Sequence, residues 1–185
     1  PQVRGHGYGI RIWNAGMARL AGRNVGLDGV VAQQANYVRS GFRLAWNNIR
    51  YEGPSVSADV PAGVTLIDAR DVPFAKLAAY DRRFFPEPRE SFLAAWVALP
   101  ERASLVALRD GEIAGFAVMR VCRSTSRVGP LYAGTPEIAM ALVSELGRRL
   151  KTSGVAIDVP DINKPAVRLV EQMGLKPSFE TARMY

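Results

Sequence analysis

The chain has 185 residues, 48% of them hydrophobic, with a formal net charge of +7 and a sequence pI of about 10.0. That much apolar material excludes a disordered chain and suffices for one good core, or for one domain plus part of another. A single cysteine, Cys122, rules out an internal disulfide, and no apolar run approaches the length of a membrane span.

The positive excess is mostly arginine, scattered along the chain and not gathered into a basic run. It suits an anionic small ligand. Loose nucleic-acid contact would also be permitted, but no aromatic-interleaved basic stripe, zinc spacing or nucleic-acid motif accompanies it. The sequence therefore predicts no nucleic-acid partner, no membrane partner and no metal. With no signal peptide visible, a cytoplasmic setting is expected.

In chain order, the first feature is Arg4-Gly5-His6-Gly7-Tyr8-Gly9, running into Ile10, Trp13, Met17 and Leu20 at helical spacing. Alternate glycines let backbone amides approach a phosphate closely, and the helix start adds unpaired N–H groups and the positive end of its dipole. Gly5, Gly7 and Gly9 with Asp28 about twenty residues on imitate a dinucleotide fingerprint, but its third glycine should stand where Ile10 is. Arg4 is placed to meet a phosphate or is a surface charge, and His6, at a variable loop position, reads as a solvated side chain. No strand precedes the loop in a chain that opens on Pro1, so the sequence reads as a fragment.

Residues 24–28 read as a short strand, 32–40 as a helix capped by Gly41, and 42–51 as an alternating strand. Turn formers then mark 54–63 as a linker between a first domain over 1–53 and a second over 64–185. In the second, a strand over 64–69 leads to helices over 73–85 and 89–99. Strands over 104–108 and 113–121 follow, joined at Asp110-Gly111, and then a strand over 127–133. Thr135 caps a helix with Pro136 in its first turn and Ile138, Leu142, Leu146 and Leu150 on one face, ended by Gly154. A strand over 155–159, a helix over 164–173 ended at Gly174 and a strand from 178 complete the chain.

The second stretch repeats the first. Leu27-Asp28 answers Ile157-Asp158, Gly41-Phe42 answers Gly174-Leu175, and Arg50 and Arg183 follow the two glycines at equal distance. Two copies of one unit predict tandem domains of the same fold.

The Arg-x-x-Gly-x-Gly spacing of the opening loop and the order of elements after it resemble the GNAT acetyltransferase superfamily. The segment 81–96, with Phe85, Arg89, Phe92, Leu93 and Trp96, strengthens the likeness, as does the run 158–163. The resemblance implies an α/β fold of α+β character with a mixed sheet, a partial first copy and a second copy lacking its last strand. It also implies an N-acetyltransferase that moves an acetyl group from acetyl-CoA, as co-substrate, to a small-molecule or protein amine by direct attack. Arg4, Gly5, His6, Gly7, Tyr8 and Gly9 would then surround the CoA pyrophosphate. Tyr37, four residues before Gly41, matches the family's tyrosine acid and would protonate the leaving thiolate; taken alone it reads as a half-buried helix residue.

In the second copy the stretch 129–136 has no such loop, and Val170 stands where Tyr37 stands in the first. The second domain thus resembles a degenerate, non-catalytic copy. Any carboxylate base and the pantetheine-binding strand would precede Pro1, which makes the fragment itself inactive. The alternative is a small-ligand-binding or regulatory module, with Arg89, Asp158 and Asp161 as its polar groups, or else as fold-supporting salt bridges and caps.

Overall fold

A computed structural model describes residues 2, 3, 5–85 and 87–185. The first half runs α1 (Tyr8–Arg19), β1 (Leu27–Val30), α2 (Gln34–Arg39) and β2 (Leu44–Pro54). The second runs β3 (Val64–Asp68), α3 (Phe74–Asp81), α4 (Glu90–Ala98), β4 (Arg102–Arg109), β5 (Glu112–Arg120) and β6 (Ser126–Ala133), then α5 (Pro136–Leu150), β7 (Gly154–Pro160), α6 (Lys164–Gln172) and β8 (Lys176–Met184). The chain divides into two compact units, Pro1–Asn47 with Thr181–Tyr185, and Asn48–Glu180.

In the smaller unit β1 lies antiparallel to the end of β8, from Leu27 opposite Met184 to Val30 opposite Thr181. Arg43 and Tyr185 exchange backbone hydrogen bonds of 2.7 and 3.0 Å. Phe42, Ala182 and Met184 are buried here, with Trp13, Met17 and Tyr37 packed against them. Trp13 and Met17 stand one helical turn apart on α1, so a single stripe supplies its contact with this core. Ile12, on the opposite side, is 75% exposed, and Ile10, a turn before Trp13 on the same stripe, is 58% exposed.

The larger unit orders its strands β8-β2-β7-β6-β5-β4-β3, with β6 and β7 parallel and β2 antiparallel to β7. Strands β4 and β5 are covered on both faces, which is why they read as continuous apolar runs. Leu105, Ala107, Ala117 and Met119 face Ile138, Leu142 and Leu146 of α5. Val106, Phe116 and Val118 face Leu77, Leu93 and Val97 of α3 and α4. Asp110 and Gly111, at φ 53° and 79°, make the tight turn between β4 and β5 that their dipeptide predicts. Thr135 accepts from the Ile138 amide at 3.4 Å and caps α5.

Several boundaries shift for local reasons. The helix expected over 32–40 begins as a 3-10 turn, Val31–Gln33, before α2. Lys151, in a left-handed conformation at φ 50°, ends α5, whereas Gly154 opens β7 at a point where a Cβ would meet the Gly53 carbonyl at 3.2 Å. β2 continues through Glu52 and Gly53 to Pro54, each paired with β7. The residues after it are also held, because the Ser55 amide donates to the Ser153 carbonyl and the Ala58 amide to Ser144 Oγ, both at 3.0 Å. The place beside β7, where 64–185 alone supplies no strand, is occupied by β2.

The residues paired between the two halves in the sequence also match in local geometry. Gly41 and Gly174 take φ 95° and 75°. The Phe42 amide reaches back to the Tyr37 carbonyl at 3.1 Å, and the Leu175 amide to the Val170 carbonyl at 3.0 Å. Both helices therefore close with the same Schellman-type turn. Arg50 grips Asp158 through Nε and a terminal nitrogen at 2.7 and 2.9 Å in the larger unit, and Arg183 meets Asp28 at 2.9 Å in the smaller. Each bridge joins an arginine of one half of the sequence to the aspartate of the other.

Two outcomes follow from this packing. At Gly115 a Cβ would meet Ile138 Cγ2 at 2.8 Å and Leu142 Cδ1 at 3.0 Å, so Gly115→Ala should destabilise by about 1–3 kcal/mol in urea denaturation. For Arg50 and Asp158, an alanine double-mutant cycle should give a coupling of roughly 0.5–1 kcal/mol that shrinks in high salt, since the Asp158 side chain is 53% exposed.

Candidate functional site

In the smaller unit the glycine loop leads directly into α1. Gly5 and Gly7 take φ 84° and 74°, a left-handed conformation that glycine adopts without steric cost. Gly7 is the N-cap, and among the described residues no side chain caps the helix. Its first bond inside the helix is from the Arg11 amide to the Gly7 carbonyl at 3.2 Å, leaving the amides of Tyr8, Gly9 and Ile10 without a helical acceptor. A Cβ at Gly5 or Gly9 would meet nothing within 4 Å, so the loop has open space beside it. These features fit a phosphate-bearing ligand. His6 is exposed and lies 6.2 Å from the Tyr8 ring, centroid to centroid. Arg4 lies outside the described residues.

Tyr37 is half-buried in the same unit. Its ring lies 5.7 Å from that of Trp13 on α1 and presses on the backbone of β1, where a Cβ at Gly29 would meet Tyr37 Cδ2 at 2.8 Å. A glycine at position 29 thus lets the edge of the Tyr37 ring come close to the strand. Tyr37 packs against the helix that the glycine loop opens.

The larger unit has a second opening. The β6–β7 ladder ends at Val128 opposite Ile157. Beyond it Leu131 and Tyr132 follow β5, while Asp158, Val159 and Pro160 follow β2, and the two strands part. A cavity of about 380 Å³ in the gap is lined by apolar groups such as Leu131, Val159, Leu169 and Val170. Another of about 370 Å³ is lined by Arg89, Phe92, Trp96, Arg120, Arg127, Tyr132 and Asp158. Beside them, Gly134, Thr135 and Pro136 border a third of about 240 Å³ at the start of α5. Pro136 has no amide to offer there.

Asp81 is 2% exposed and accepts two hydrogen bonds of 2.7 Å from the Arg89 guanidinium, which also donates to the Tyr132 hydroxyl at 3.2 Å. The Asp81 carboxylate holds Arg89 above the usual arginine range, and burial pushes the Tyr132 phenol up against the opposing pull of Arg89. Phe85 covers the guanidinium at 4.2 Å. This network spans three elements and fixes one wall of the cavity.

Arg89 and Asp158, singled out in the sequence, come together around that cavity, and each is also bound by a structural partner. Asp161 follows β7 and does not line it. The pairing of Asp81 with Arg89 crosses the irregular segment between α3 and α4, so no periodicity announces it. The row formed by Arg120 and Arg127 was accessible in principle, since they face one another once the β5–β6 register is known. Among the described residues no group of His, Cys, Asp or Glu is arranged to hold a metal, and no helix is long and apolar enough to cross a membrane.

Comparison with known proteins places this geometry. Residues 77–185 match a family model described as an acetyltransferase (GNAT) domain. Holothin acyltransferase of Pseudoalteromonas sp. (strain SANK 73390) is 28% identical over 187 residues, spanning 100% of this chain and 63% of that protein. The chain thus covers less than two thirds of that relative. Among solved structures, a Pyrococcus horikoshii protein assigned as an acetyltransferase superposes with a TM-score of 0.74 at 20% identity, over 98% of this chain and 60% of the other. A tandem GNAT protein from the clavulanic acid biosynthesis pathway gives 0.67 at 16%, over 100% and 71%. At these identities the structures attest the fold, and the family model covers more than half of the residues. The chain belongs to the GNAT acetyltransferase family.

Proposed function

We propose that the protein transfers an acyl group, acetyl in the simplest case, from acyl-CoA to the amine of a small molecule or protein. The observation that carries this reading is the left-handed Gly5 and Gly7 turn into α1, with first-turn amides that have no partner among the described residues. Amides of residues 5–9 would hold the pyrophosphate, with Arg4 adding charge at the mouth. The similarity to holothin acyltransferase over the full chain supports acyl transfer as the reaction class.

In the proposed step the amine lone pair attacks the thioester carbonyl carbon and the C–S bond breaks. The CoA thiolate takes the Tyr37 hydroxyl proton, and a general base takes the proton lost by the amine. Tyr37 is suited to this role by a position fixed between Trp13 and Gly29. Chemistry is assigned to the first copy because the second has Val170 at the equivalent helix-closing position and prolines at 130 and 136. The paired Schellman turns and the reciprocal Arg–Asp bridges support the tandem reading. The second copy would then be non-catalytic.

In the full-length protein, Tyr37→Phe should lower kcat by about a hundredfold to ten-thousandfold. Acetyl-CoA affinity, measured by calorimetry, should change by less than about threefold, because the phenol acts on the departing thiolate rather than on bound donor. Turnover within about threefold of the parent would remove Tyr37 from the reaction.

A further inference from the structure

The cavity beneath α4 is bordered by a row of like charges. Arg102 on β4 stands opposite Arg120 on β5, and Arg120 opposite Arg127 on β6, so three arginines occupy successive strands at one level of the sheet. Residues directly opposite each other share a face, and like charges in such pairs repel. No carboxylate pairs with any of the three among the described residues. Arg102 is occupied by stacking on Trp96 at 4.4 Å and by donating to the Trp96 carbonyl at 3.3 Å. Among the described residues Arg120 has the Cys122 sulfur at 3.1 Å as its one polar side-chain contact, and Arg127 has none. Both are half-buried and line the cavity.

The other charges at the cavity do not compensate the pair. Arg89 is matched by Asp81, and Asp158 by Arg50, each through a two-point contact. Two guanidinium forks therefore face the space with their charge uncancelled. The opposite wall is aromatic: Phe92 and Trp96, one turn apart on α4, stack with centroids 5.3 Å apart and planes 18° from parallel. Trp96 is locked by its Nε1 donating to the Gly129 carbonyl at 2.9 Å, while Phe92 remains 47% exposed.

We propose that this cavity binds a small planar molecule carrying a carboxylate, its ring against Phe92 and Trp96 and its charge held by Arg120 and Arg127. A guanidinium fork matches a carboxylate in two-point geometry. A volume of about 370 Å³ is within the range of small-ligand sites. The site uses none of the residues assigned above to acyl transfer, and its occupancy is readable without turnover.

The experiment is calorimetric titration of the full-length protein with 2-naphthoate, the neutral 2-naphthalenemethanol and inorganic phosphate. The carboxylate should bind at least about tenfold more tightly than either of the others, since it alone engages both walls. Arg120→Gln and Arg127→Gln should each weaken 2-naphthoate about tenfold or more, and Phe92→Ala should weaken the carboxylate and the alcohol alike. Melting without ligand controls for folding: Arg127→Gln should melt no lower than the parent, because it relieves repulsion within the row. Equal affinity for naphthoate and its alcohol, phosphate binding as tight as naphthoate, or unchanged affinity in both arginine variants would overturn the proposal. Tyr37→Phe should leave naphthoate binding unchanged, so the proposal can fail or survive independently of the transfer reading.

Discussion

The packing of the larger unit depends on β2 lying beside β7. Without that neighbour β7 would be an open edge after only a short parallel ladder with β6, and an unpaired row of amides and carbonyls is costly once buried. β2 supplies seven opposed residues, from Asn48 to Pro54, and Tyr51 and Gly53 show what its side chains contribute. Tyr51 is buried in the core beneath α5 and α6. Gly53 makes room for Leu175, whose Cδ2 would lie 2.9 Å from a Cβ at that position. Arg50 adds a register lock, since slipping the pairing by one residue would turn its side chain to the other face, away from Asp158. The first half of the sequence thus completes the sheet of the second.

The same logic explains why some features were legible in the sequence and others were not. Local devices could be read directly: Asp110-Gly111 as a tight turn, Thr135 and Pro136 as a helix start, and Gly41 and Gly174 as helix ends. Each depends on backbone preferences of a few neighbouring residues. The matching turns and residues of the two halves were legible too, because they come from comparing the chain with itself. What the repeat did not reveal is which aspartate each arginine meets. Arg50 meets Asp158 and Arg183 meets Asp28. Partner choice across a sheet is set by strand order, which leaves no mark on local spacing. For the same reason the turn formers from residue 54 looked like a linker, although Pro54 is a strand residue paired with Gly154.

Candidate site residues divide along similar lines. The glycine loop and Tyr37 lie close in sequence to the elements that hold them, so their local structure could be read from spacing. Arg89 was visible as a residue, but its environment was not. Asp81, Tyr132 and Phe85 come from three different segments, and together they turn a surface-type residue into a fixed structural one. A buried carboxylate costs several kcal/mol unless paired, so Asp81 and Arg89 are coupled in a way that neither position discloses alone.

Arginine therefore serves opposite ends within one cavity. At Arg89 the charge is cancelled by a buried carboxylate and the guanidinium acts as a rigid strut between α3, α4 and β6. At Arg120 and Arg127 the charge is left over. A fold that needed only hydrogen-bond donors or long aliphatic stems at those two positions would gain stability by replacing one with a neutral residue, since the pair is opposed across adjacent strands. Functional sites are where such local conflicts are tolerated, because a ligand resolves them when it binds. The conflict lies on the α3 and α4 side of the sheet, where Arg120 shares the face of Phe116 and Val118. Trp96 is held by its bond to the Gly129 carbonyl and Phe92 stacks on it, contacts that involve neither Arg120 nor Arg127, so the aromatic wall is in place before any ligand arrives.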